Sequence, residues 1–227
     1  MFRTVPAHDT GSRPRRKAGM AAFESWGYRL TVSRARGKST LSRDDWVKAA
    51  FETLNREGID QVRVEPLAAS LGVTKGSFYW HFRNRQDLLD ALIEYWEKEM
   101  TQTVLDAAKV FHGSPEQRLI NTFREIISKE RTKYDPAVRH WAKFDPRVRQ
   151  AVENIDKVRL SFLQGLFQDI GYDAVHAETR ARLMYYYVMG ESIVTIKEPM
   201  SKRLRMLDEK IRIIMQPLKS EETLPSE

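Results

Sequence analysis

The stretch from Pro66 to Leu89, PLAASLGVTKGSFYWHFRNRQDLL, limits what this chain can fold into more than any other. A short apolar-faced segment, Pro66 to Leu71, is followed by Gly72-Val73, where glycine can take the positive φ that stops a helix. Thr74 is suited to cap a second short helix, Lys75 to Phe82, through its hydroxyl. Asn84 and Asp87 have the spacing of a capping box that opens a third. Two helices joined by a short glycine-containing turn form the unit that sets a recognition helix into the major groove of DNA. Phe78 and Phe82, four apart, share one face and are assigned to a small core. Lys75, Ser77, Tyr79, Trp80 and His81 then look outward. Exposed aromatics cost solubility, so their presence in so short a helix points to a partner. Lys donates to guanine or phosphate, Ser and Tyr hydroxyls donate to phosphate oxygens, and Trp meets a thymine methyl. Gly76 leaves room for the backbone to approach base edges.

The remainder reads as helices. Ser42 with Asp45 caps a helix whose apolar face is Trp46, Val47, Ala50, Phe51 and Leu54, and which ends at Gly58. A long helix is expected from about Arg85 to Ala108, roughly 36 Å at 1.5 Å per residue. Ser114-Pro115, Asp135-Pro136 and Asp145-Pro146 each read as a cap followed by proline in the first helical turn. Further helices are expected to about Ile170, from Asp173 to Lys197, and from Lys202 to Met215. No strand pattern is found. The expected fold is therefore all-α: a three-helix helix-turn-helix DNA-binding domain at 41–90, joined by the long helix to a helical bundle at 91–216. A basic, largely disordered arm (1–40) precedes them and a loose tail (217–227) follows.

Charge is unevenly placed. The net +7 of the chain is carried wholly by residues 1–40, which hold nine Lys/Arg against two acids. Residues 41–90 hold seven basic and eight acidic residues. The helix-turn-helix is therefore no general polyanion binder and must act through a few placed donors, while Arg36 and Lys38 at the end of the arm offer phosphate contacts. There is no Cys, which excludes disulfides, and no apolar run nears the ~18 residues of a membrane span. A reducing, cytoplasmic setting and no membrane partner are expected. Gly37-Lys38-Ser39-Thr40 resembles the end of a phosphate loop, but Val32 stands where the earlier glycine belongs. The five His show no metal-ligand spacing, so no metal and no cofactor are expected. No acid/base constellation supports an enzyme.

With Leu67-Ala68, Leu71-Gly72-Val73, Phe78-Tyr79-Trp80-His81-Phe82, Arg85 and Leu88-Leu89 in view, the chain resembles the tetracycline-repressor (TetR) family of transcriptional regulators. The resemblance is strong from about Ser42 to Ala91. It implies that Thr74, Lys75, Gly76, Ser77, Tyr79 and Trp80 line the major groove, and that Tyr79, His81 and Arg85 hold phosphates. The second helix of the family often opens on a phosphate-touching Thr. Here the position is Val64, and Arg63 is the candidate substitute.

The resemblance also implies a homodimer, joined through the last two long helices, on a palindromic double-stranded DNA operator. The surplus of apolar residues on those helices agrees independently. A small apolar or aromatic effector in the second domain would release the DNA by shifting the long helix. Candidate pocket residues are Trp141, Phe144, Phe162, Phe167, Met184, Tyr185 and Met189, with Arg139 or His140 as polar anchors. Ordinary core packing accounts for each of these residues better than a pocket role does, because aromatics at helical spacing usually just pack. Two other readings stand beside this one. The first is a constitutive or architectural DNA-binding protein whose second domain takes a protein partner. The second is a helical-bundle enzyme, for which no converging site is found.

Overall fold

The computed structural model describes residues 41–194, 196 and 198–216. Arg36 and Lys38, with the rest of the arm and the tail, lie outside the described residues. The described residues hold ten α-helices and no strand: α1 Arg43–Glu57, α2 Val64–Ser70, α3 Lys75–Tyr79, α4 Arg85–Glu97, α5 Thr103–Lys109, α6 Pro115–Ser128, α7 Asp135–Trp141, α8 Pro146–Ile170, α9 Ala174–Ile193 and α10 Met200–Ile214.

Local chemistry sets most of the boundaries. Ser42 and Asp45 form a reciprocal capping box on α1, and Ser114 and Gln117 form one on α6. The Asp145 side chain accepts from the Arg147 amide at the start of α8. At the end of α2 the Val73 amide reaches the Ala68 carbonyl and the Gly72 amide reaches Ala69, with Gly72 at φ +69°. This is the paired termination that favours glycine. It turns the chain sharply enough to bring α3 across α2.

Four expectations are corrected. The Thr74 side chain makes no capping hydrogen bond, although its backbone is extended at the start of α3. Asn84 accepts from the Asp87 amide, but Asp87 answers to Arg83, not to Asn84. Asp135 is no cap at all. It is buried inside α7 and pairs with Arg159 Nη1 at 2.5 Å. Finally, the long helix is not α-helical throughout, because a π-helical stretch, Lys98–Gln102, separates α4 from α5. The hydrogen-bond pattern widens there to i→i+5.

Two apolar clusters organise the molecule. The first gathers Trp46, Phe51, Leu67, Phe78, Phe82, Leu88 and Trp96, and continues into Tyr134, Val138, Trp141 and Val148. The helix-turn-helix therefore rests on α7 and the start of α8. The second gathers Leu119, Phe123, Leu163, Phe167, Met184, Val188, Leu207 and Ile211 from α6, α8, α9 and α10. Polar contacts reinforce the first contact. Glu52 on α1 accepts from Tyr134 Oη and Lys133 Nζ, each at 2.6 Å. The Tyr134 ring also stacks on Phe51 at 4.7 Å.

Candidate nucleic-acid interface

The recognition segment divides its side chains by burial. Phe78 is wholly buried, edge-on to Trp46 and stacked on Phe82. Its chain neighbours do the opposite: Tyr79 is 53% and Trp80 87% exposed. Thr74, Lys75 and Gly76 are exposed beside them, and Ser77 and His81 are half-buried. The structure thus brings Thr74, Lys75, Gly76, Ser77, Tyr79, Trp80 and His81 to one short segment, with the outward residues free of the core.

Two candidates sit differently. The Arg85 guanidinium is spent within the protein: Nε donates to the Val62 carbonyl at 2.6 Å and Nη2 to Ile59 at 2.8 Å. It ties the start of α4 to the turn before α2, so its first role is to hold the frame of the recognition helix. Arg63 is exposed, directly before α2, with Nη2 on Gln61 Oε1 at 2.8 Å.

Lys75 Nζ lies 2.5 Å from Glu65 on α2. The hydrogen bond and charge of Glu65 raise the ammonium above its ordinary pKa, and the same bond lowers the Glu65 carboxyl. Both side chains are open to solvent, so the pair is weak and yields readily to a phosphate or base. Glu65→Gln removes a carboxylate from the surface that would face DNA. The expected result is several-fold tighter binding and a steeper dependence on salt, measured by titration at several salt concentrations.

An added Cβ at Gly76 would stand 3.5 Å from Thr74 Oγ1, an ordinary contact. The fold therefore does not require glycine there, and Gly76→Ala should stabilise the helix by about 0.5–1 kcal/mol. If backbone and base edges meet at this point, the same substitution weakens DNA binding. Thermal melting and DNA titration of one variant would then move in opposite directions.

A cavity lies between the π-helical stretch, α5, α6, α8 and α9, walled by Met100, Val104, Phe123, Phe162, Leu163, Val188 and Met189, with Thr101, Arg131, Arg159 and Tyr185 supplying polar groups. It holds about 40 Å³, room for about three waters at one per ~10–15 Å³, and it is partly open to solvent. Of the candidate pocket residues, Phe162, Tyr185 and Met189 line it. Arg139 stands behind them. It is paired with Asp156 at 2.6 Å and donates to Tyr185 Oη at 3.0 Å. Burial, the largest cause, pushes the Tyr185 phenol up to about 12. Trp141 belongs to the first apolar cluster, and Phe167 and Met184 to the second. Phe144 is 72% exposed, with His140 edge-on to it. These five do not line the cavity.

The cavity residues Arg131 and Arg159 were missed. Arg131 lies in the turn between α6 and α7 and Arg159 within the long amphipathic α8, and in either place an arginine carries the same signal as one on a solvated face. Among the described residues no group of His, Asp and Glu is arranged to hold a metal, and no helix is long and apolar enough to cross a membrane.

The pattern of the family described as bacterial regulatory proteins, tetR family, matches residues 47–92. Residues 47–92 are therefore similar to the TetR-type domain. Over 48 residues it is 48% identical to the tetracycline repressor protein class A from transposon 1721 of Escherichia coli, covering 21% of this chain and 22% of that one. It is 25% identical over 96 residues to the HTH-type transcriptional regulator AcrR of Shigella flexneri, covering 40% and 45%. The match thus spans under half of either curated relative. A solved transcriptional regulator from Rhodococcus sp. Rha1 has the same fold more widely, with TM-score 0.60 and 19% identity over 77% of this chain and 96% of that one. Likeness in the TetR-type domain is therefore one of sequence, and beyond it one of fold.

Proposed function

We propose that the protein is a transcriptional repressor that binds a palindromic operator as a homodimer and is released by a small effector held in the cavity. The observation that carries this reading is the exposed Tyr79-Trp80 pair, fixed on a recognition helix by the buried Phe78 and Phe82. Fully exposed Trp is hard to account for unless a partner covers it.

Dimerisation is supported by two apolar stripes. Leu183, Tyr186 and Ile193 are exposed at helical spacing on α9, with Gly190 among them. Met206 and Ile213, seven apart on α10, are exposed as well. Small and apolar positions along two helices let a second copy approach closely. The effector class follows from the cavity lining: an apolar body with a hydrogen-bond acceptor facing the arginines. In vitro selection of random duplexes with the full chain tests the reading. A palindrome bound by two chains, with half-site centres about 34–36 Å apart, is the expected result. Binding without sequence preference, or by one chain, overturns it.

A further inference from the structure

We propose that Arg159 couples occupancy of the cavity to the position of the helix-turn-helix. A ligand would act by drawing its guanidinium away from the two connections it now holds. The inference rests on the reading of the cavity as an effector site.

In the π-helical stretch each backbone amide reaches one residue further back, so carbonyls are left poorly matched. Side chains take three of them in succession. Thr103 Oγ1 donates to Lys98 at 3.1 Å, Arg131 Nη1 to Glu99 at 3.0 Å, and Arg159 Nη2 approaches Met100 at 3.5 Å. Both arginines line the cavity. Arg159 does more. Its Nε donates to Thr101 Oγ1 at 2.9 Å, its Nη1 lies 2.5 Å from Asp135, and its guanidinium stands 5.2 Å over the Trp96 ring in the last turn of α4. Asp135 directly follows Tyr134, the residue that stacks on Phe51 and bonds Glu52 of α1.

Beside the start of α8, the connecting helix and the start of α7 are two of the routes by which the body reaches the helix-turn-helix. One buried guanidinium grips both. A ligand acceptor that engages Arg159 competes with Thr101, Met100 and Asp135 together. A π stretch deprived of these partners can return to α geometry. One residue of register is about 1.5 Å of travel and about 100° of rotation, so α4 and everything before it would turn. The ligand shifts this equilibrium only by its differential affinity for the two arrangements.

Arg159→Lys keeps a cation for Asp135, but a single ammonium cannot reach all three elements. Hydrogen exchange on the full chain is expected to show amides 98–103, 134–138 and 50–54 exchanging about tenfold faster than in wild type, with α9 and α10 unchanged. Val188→Ala, in the same cavity wall but without a polar contact, should leave all three segments protected. On DNA selected by the wild type, Arg159→Lys should bind about tenfold more weakly. Unchanged exchange at any of the three segments overturns the proposal. So does the same pattern in Val188→Ala, or undiminished DNA binding with the segments loosened. If the wild type selects no DNA, the repressor reading falls, and the exchange at 50–54 alone decides the coupling.

Discussion

Replacing Tyr79 and Trp80 together by alanine should reduce specific DNA binding about a hundredfold or more while leaving the melting temperature within about 2 °C of wild type. The argument is one of burial. Trp80 is almost fully exposed and Tyr79 more than half, so the fold has little invested in either. Surface substitutions outside such investments stay within about 0.5 kcal/mol. Tyr79 does lie edge-on to Phe78 at 5.3 Å, which accounts for the small loss allowed. On the DNA side, a well-placed contact is worth about 1–3 kcal/mol. Two that do not share a partner add, and about 2.8 kcal/mol is already a hundredfold. Titration on selected DNA, beside thermal melting, separates the two quantities. Unchanged affinity would remove these residues from the interface and with them the observation on which the functional reading stands.

What could be read from the sequence depends on how far apart the interacting residues lie in the chain. Ser42 with Asp45, Ser114 with Gln117, and Asp145 before Pro146 are local devices, and the helices they open begin where expected. The glycine turn at Gly72 is equally local. The spacing of Phe78 and Phe82 assigned the buried side of the recognition helix, and the outward side followed from it. Where a partner is distant, the same residue types mislead. Asp135 before Pro136 has the form of a cap, yet Arg159, 24 residues away, draws it into the interior. Arg85 has the form of a phosphate ligand, and nothing in the sequence signals that its Nε and Nη2 also hold backbone carbonyls 23 and 26 residues away. The π-helical stretch has no signal of its own in composition, and its side-chain partners Arg131, in the turn after α6, and Arg159, in α8, are distant in the chain. For the cavity the ambiguity is of a different kind. Phe162 and Phe167 sit on one helix and are equally apolar, and only the arrangement of α5, α6 and α9 decides that the first faces the cavity while the second fills the core.

Phe78→Ala, unlike the change next to it, should cost stability as well as binding. The ring is wholly buried and packs on Trp46 and Phe82 at 5.4 and 5.2 Å. It is the one fully buried side chain of a five-residue helix. A helix so short has no stability of its own, so α3 is held by this anchor and by the turn at Gly72. Truncation removes the transfer free energy of the ring and leaves a cavity, together about 3–5 kcal/mol. That is a large fraction of the roughly 5–15 kcal/mol that holds a typical domain folded. The melting temperature should fall by about 10 °C, as read by calorimetry or by far-ultraviolet circular dichroism. DNA binding should be lost at the same time, because Tyr79 and Trp80 are no longer held on a common frame. Phe78→Leu, which keeps most of the volume, should recover most of both. If Phe78→Ala instead melted as the wild type does and still bound DNA, the recognition helix would be anchored by the turn alone, and the division of its faces into core and interface would be wrong.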